Sequence, residues 1–119
     1  MNKHEKINYI ELPTNDISKT KEFYRAVFGW DFTDYGPDYT AFSNAGIDGG
    51  FYQSERSSSS QKGSALIVFY SADLESTALK IENAGCKITQ AIFSFPGGRR
   101  FHFADPNRNE LAVWSDKAS

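Results

Sequence analysis

The chain contains a single cysteine, Cys86, so an internal disulfide is excluded. No apolar run approaches the roughly 18 residues of a membrane-spanning helix. The first ten residues, MNKHEKINYI, include no apolar stretch of signal-peptide length, so a cytoplasmic protein is expected. Charge of one sign is also lacking: 13 basic against 15 acidic residues leave a net of −2, and no basic cluster is longer than Arg99-Arg100. Neither nucleic acid nor an anionic membrane is implied as a partner. Nucleophile motifs are missing as well: Cys86 follows a helix-ending glycine with no histidine nearby in sequence, and no serine has a nucleophile-elbow context. The Gly49-Gly50 and Gly97-Gly98 pairs do not sit between a strand and a helix start, which excludes a phosphate loop and points to bulges or close approach. His4 lies in a polar tail and carries no role.

Aromatic residues, by contrast, are plentiful. Two Trp, six Tyr and ten Phe in 119 residues exceed what one small core usually needs, so some rings are available to line a pocket. The length suits one domain, residues 1–119, with a core of its own.

Lys6 to Leu12 alternates as a strand that Pro13 is expected to stop. Asn15 or Asp16 then caps a helix with apolar residues at helical spacing, and Gly29 ends it. Strand candidates follow at 30–35, 39–44 and 49–53. The polar, low-complexity segment 55–62 reads as a linker. After it the order repeats: a strand at 65–70, a helix capped by Ser71 or Asp73 and ended by Gly85, and strands at 87–95, 99–104 and 110–114. An offset of 57 residues lays Tyr9-Ile10-Glu11-Leu12 over Leu66-Ile67-Val68-Phe69 and Asp16-Ile17 over Asp73-Leu74. This reads as an internal duplication of a βαβββ unit, with modules 4–54 and 63–117. Two unrelated α+β halves remain the alternative.

The last hairpin, GRRFHFADPNRNELAVWSD, fixes the faces. Alternation sends Leu111 and Val113 to one side and Glu110, Ala112 and Trp114 to the other. Leu12, Phe23, Val27, Ile67, Phe69, Leu79, Leu111 and Val113 are expected between helices and sheet. The opposite face receives Ile7, Tyr9, Glu11, Leu66, Val68, Tyr70, Arg100, His102, Glu110, Ala112 and Trp114, an aromatic surface with ionisable groups near its rim.

Four stretches carry a resemblance to the vicinal-oxygen-chelate superfamily, the glyoxalase/bleomycin-resistance/dioxygenase family: INYIELP with Asp16, KEFY leading to VFGW, GIDGG, and FADPNRN. The resemblance covers essentially the whole chain and implies two βαβββ modules whose sheets form a cup with the helices outside. One departure is Arg108, where the family usually has glycine; that turn must change shape or hold Arg108 in a disfavoured backbone region. The family places a divalent metal on four His, Glu or Gln side chains. Those positions fall here on Tyr9, Leu66, Gly49 or Gly50, and Ala112, which offer one phenol between them, so no metal and no other cofactor is expected. Position 102 corresponds to a substrate-contacting position in fosfomycin-resistance members.

The expected function is binding of a small organic molecule, partly aromatic or cationic, in a metal-free cup. The ligand-binding candidates are Tyr9, Glu11, Leu66, Tyr70, Arg100, His102, Glu110 and Trp114. The alternative is a lyase, isomerase or dioxygenase-type enzyme using a shifted metal or none, with Glu11 and His102 as general acid and base. A third possibility is a structural or partner-binding module. His102 and Arg100 could also do no more than pair with Glu110 across the hairpin. The family resemblance implies a homodimer.

Overall fold

In the computed structural model, which describes residues 2–118, each half of the chain runs strand, helix and three strands. The first unit, ending at Arg56, contains β1 (Tyr9–Thr14), α1 (Ile17–Phe28), β2 (Asp31–Asp34), β3 (Tyr39–Ser43) and β4 (Asp48–Gln53). The second, starting at Ser57, contains β5 (Ile67–Tyr70), α2 (Leu74–Asn83), β6 (Lys87–Phe95), β7 (Gly98–Ala104) and β8 (Glu110–Ser115). The sheet orders are β1-β4-β3-β2 and β5-β8-β7-β6. In each, the first and last strands of the unit pair in parallel and the other pairings are antiparallel. The fold is thus α+β, two βαβββ modules. No helix among the described residues is long and apolar enough to cross a membrane.

The duplication extends to individual hydrogen bonds. Asp16 caps α1 by accepting from the Lys19 amide at 3.0 Å, and Asp73 caps α2 by accepting from the Ser76 amide at 3.2 Å. The Asp16 amide donates to Thr14 Oγ1 and the Asp73 amide to Ser71 Oγ, at 3.1 and 3.0 Å. Each of those hydroxyls meets a threonine one turn into its helix, Thr14 with Thr20 at 2.8 Å and Ser71 with Thr77 at 2.7 Å. Every pair in this set differs by 57 positions. The short polar side chains satisfy amides that a helix start otherwise leaves open, and they fix where the chain turns back onto its sheet.

Pro13 does not stop the first strand. It lies inside β1, opposite Tyr52, because β1 is an edge strand where a missing N–H breaks no ladder. The strand also starts later than the alternation suggests, at Tyr9, and Ile7 precedes it as an 84 % exposed residue.

In the first unit, Leu12 of β1 and Phe23, Tyr24 and Val27 of α1 are buried with Trp30, Phe42 and Phe51. Tyr24 stacks on Trp30 at 4.5 Å between ring centroids, and Trp30 meets Phe42 at 4.4 Å. Much of the aromatic surplus is consumed here, in a core rather than in a pocket. In the second unit Leu111 and Val113 are fully buried, along with Phe101, Phe103, Leu74 and Ile81. Ile67 and Phe69 are half-buried. Leu79 is not a core residue: it is 57 % exposed. The buried stripe of α2 runs through Leu74 and Ile81, two turns apart, and a residue five positions after Leu74 lies well round the helix from that stripe.

The 55–62 segment joins the units but is not a loose tether. Ser57 Oγ donates to the Asn107 carbonyl at 2.8 Å, the Ser58 amide to Asn109 Oδ1 at 2.8 Å, and the Glu110 amide to the Ser58 carbonyl at 2.7 Å. A single 3-10 turn, Ser60–Lys62, follows. The serines therefore act as hydrogen-bonding partners for the last hairpin rather than as flexible filler.

Candidate functional site

The turn between β7 and β8 sets the site's geometry. Asp105 Oδ1 accepts from the amides of Asn107 and Asn109 at 2.8 and 2.9 Å, and its Oδ2 accepts from Asn109 Nδ2 at 3.0 Å. These three polar residues are buried, and the knot they form holds Arg108 at φ 63°, the left-handed region that glycine occupies most easily. Of the two outcomes expected for this turn, the one observed is Arg108 held in the disfavoured backbone region. Because the knot fixes the register of the two strands, Ala104 faces Glu110, His102 faces Ala112 and Arg100 faces Trp114.

Those six residues share the sheet face away from α2. Val68 and Tyr70 join them from β5, opposite Ala112 and Trp114, and Gln90 and Phe93 join from β6, opposite His102 and Arg100. His102 Nδ1 lies 2.9 Å from Glu110 Oε2. The other carboxylate oxygen, Oε1, accepts from both the amide and the hydroxyl of Ser60 at 2.7 Å. These two Ser60 bonds and the bond to His102 hold the Glu110 carboxyl down at about 2 against partial burial. The group is therefore ionised at neutral pH and can only accept, so Nδ1 of His102 carries the proton and donates it.

That arrangement leaves Nε2 as the working end of the ring. His102 is only 6 % exposed, and its Nε2 has no partner. Sequence reasoning expected His102 near a rim; it is buried instead, with the Phe93 ring of β6 6.0 Å away. The Arg100 guanidinium lies 5.4 Å from the Phe93 ring centroid and 5.8 Å from that of Phe95. Its Nε is also buried without a partner, and among the described residues Arg100 forms no ion pair. Trp114 continues the surface, 6.4 Å from Phe95 and 5.3 Å from Tyr70. The Tyr70 hydroxyl donates to Asp116 Oδ1 at 2.6 Å, which anchors the ring at the edge. A recess of about 400 Å³ opens at Glu110, walled by Ser60, Gln61, Thr89, Gln90 and Arg108. Its size is in the range of small-molecule sites.

Tyr9 and Glu11 are on the first unit's sheet, joined through Tyr39, which sequence reasoning did not single out. The Tyr39 hydroxyl donates to Glu11 Oε2 at 2.8 Å and therefore accepts from the Tyr9 hydroxyl, 2.6 Å away. Burial, followed by these two hydrogen bonds, raises the Tyr39 phenol well above the ordinary value. Leu66 precedes β5 and is half-buried. Cys86 is also half-buried; burial first, and Asp105 next, push its thiol up to about 11, so it is no nucleophile at neutral pH.

The positions that correspond to the family's metal ligands do not fit a divalent ion. A Cβ on Gly50 would collide with the ring and hydroxyl of Tyr39, and one on Gly49 with the Ile10 carbonyl and the Phe42 ring. The Tyr9 hydroxyl is committed to Tyr39, Leu66 has no donor atom, and Ala112 is fully buried with none to offer. Among the described residues no group of three or more His, Cys, Asp or Glu is placed to hold a metal.

The sequence model of the glyoxalase/bleomycin resistance protein/dioxygenase superfamily matches residues 6–113. No curated protein sequence matches the chain. Solved structures share the fold at low identity. A glyoxalase/bleomycin resistance protein/dioxygenase family enzyme from Burkholderia phytofirmans PsJN is 19 % identical, with a TM-score of 0.78 over 92 % of this chain and 98 % of that one. A lactoylglutathione lyase from Agrobacterium tumefaciens is 19 % identical, with a TM-score of 0.70 over 93 % of each chain. A fosfomycin resistance protein from Listeria monocytogenes is 16 % identical, with a TM-score of 0.77 over 96 % and 95 %.

Proposed function

Since the chain belongs to the glyoxalase/bleomycin resistance protein/dioxygenase superfamily, we propose that it binds a small organic molecule on the face of its second sheet away from α2, without an inherited metal ion. The observation that carries this reading is the pair of buried, unpartnered nitrogens, Arg100 Nε and His102 Nε2, on neighbouring same-face positions of β7. An unsatisfied buried polar atom costs about 1–3 kcal/mol. Two on one face, flanked by rings and a recess, are explained by a ligand that supplies their partners. Aromatic contact comes from Trp114 and Tyr70, and orientation from Arg100, His102 and Glu110. The reading includes a homodimer in the cytoplasm.

A second reading, favoured by the Glu110 and His102 pair, is an enzyme of the same superfamily, a lyase, isomerase or dioxygenase type. Glu110 keeps a proton on Nδ1, so in the neutral ring it is His102 Nε2 that has the lone pair a general base needs. Glu11, the other catalytic candidate, already accepts from Tyr39 and is the weaker choice.

A thermal-shift screen of metabolites and antibiotics tests the binding reading. A ligand present at a hundredfold excess over its Kd stabilises the folded state by about 2.7 kcal/mol. A hit should lose its shift in Trp114→Ala and change its pH dependence in His102→Gln. Hits indifferent to both substitutions would remove the site from this face. Chemical conversion of a hit, lost in His102→Gln, would favour the enzyme.

A further inference from the structure

Arg100 is the one half-buried cation on this face, and its surroundings contain rings rather than acids. On β6, Phe93 and Phe95 flank the guanidinium; on β8, Trp114 is its register partner. The nearby carboxylates are already engaged. Glu110 accepts from Ser60 twice and from His102, and Asp116 accepts from the Tyr70 hydroxyl. Glu75, the ion-pair partner of the adjacent Arg99, belongs to α2 on the other side of the sheet. Stacking on aromatic faces stabilises a guanidinium but satisfies none of its five in-plane N–H donors. A planar cation held between rings with its donors free presents a fork that matches a carboxylate.

We propose that the ligand is an organic acid with an aromatic or apolar body. Its carboxylate pairs with the Arg100 guanidinium, and its body lies against Trp114 and the flanking phenylalanines. The inference rests on the reading that this face is a binding site, and it narrows the ligand class: an uncompensated guanidinium repels the cationic molecules that the family resemblance left open. His102 adds a second requirement. In the neutral ring with its proton on Nδ1, Nε2 accepts, so a hydroxyl or N–H on the acid, within reach of β7's next same-face position, completes the set of partners.

The test is an NMR titration of the full ¹⁵N-labelled chain with benzoate, phenylacetate and phenylpropionate, each against its primary amide, which keeps the shape and removes the charge. At least one acid is expected to shift the Arg100 Nε–H resonance saturably and to bind about tenfold or more tightly than its amide, the scale of one charge-assisted hydrogen bond. Arg100→Met should remove the preference for acid over amide while the remaining resonances show the chain still folded. Acids and amides that bind alike at Trp114 would overturn the carboxylate inference and leave the binding site standing. Failure of all six probes to perturb Arg100, His102 or Trp114 would overturn both.

Discussion

Tyr39 lies over Gly50, so that a Cβ on residue 50 would run into the phenol ring and hydroxyl. Gly50 pairs with Ala41 and Tyr39 with Tyr52, so the two are diagonal neighbours across β3 and β4, and the ring fills the space a side chain at 50 would use. That same hydroxyl ties Tyr9 to Glu11. The glycine is therefore a packing requirement of Tyr39, and at one of the two positions, 49 or 50, to which the family resemblance assigns a metal ligand, an aromatic ring takes the space.

Gly50→Ala should destabilise the protein by about 1–3 kcal/mol, the usual cost of overpacking. In a Tyr39→Ala background the same change should be nearly neutral, because the space is then empty. Urea unfolding of the four proteins gives the coupling energy. Simple additivity would show that the ring does not set the requirement.

Glu110→Gln should cost stability in a pH-dependent way. The folded-state carboxyl at about 2 lies below the ordinary value of 4.5, so its stabilisation is fully present above 4.5 and is lost as pH falls through 2. Allowing for partial exposure, the difference between the native protein and the variant should be about 1–3 kcal/mol at neutral pH. It should shrink steadily below pH 4.5 in denaturant unfolding. A difference that does not vary with pH would mean that the Ser60 and His102 contacts do not depend on the charge.

Arg108→Gly should stabilise the hairpin. A non-glycine residue in the left-handed region costs about 1–2 kcal/mol, and glycine's extra unfolded-state freedom offsets about half of that. A rise of about 0.5–1 kcal/mol in unfolding free energy is expected. If the variant instead loses stability, the Arg108 side chain makes a contribution larger than the strain it carries.

Elemental analysis after dialysis should find no stoichiometric Zn²⁺, Ni²⁺, Mn²⁺ or Fe²⁺. A site with one phenol already hydrogen-bonded to Tyr39 does not compete with water for such ions. One tightly held ion per chain would revive a metalloenzyme, with Glu110 and His102 the first residues to substitute.

The sequence alone determined the order of elements and the faces of β8, and it narrowed the helix caps to Asn15 or Asp16 and to Ser71 or Asp73, because each follows from local chemistry: side-chain oxygens near open amides, stop glycines, and period-two alternation. It also placed Arg100, His102, Glu110 and Trp114 on one face. Tertiary structure decided the rest. Only sheet order shows that β1 is an edge that tolerates Pro13, and only packing shows that α2 turns Leu79 to solvent. Tyr39 carried no signal of its own, since its role depends on a glycine eleven residues away that becomes its neighbour across a strand pair. The serine segment looked like a linker because its composition is that of one. Its hydrogen bonds reach some fifty positions along the chain, to Asn107, Asn109 and Glu110, and no local pattern encodes a partner at that distance.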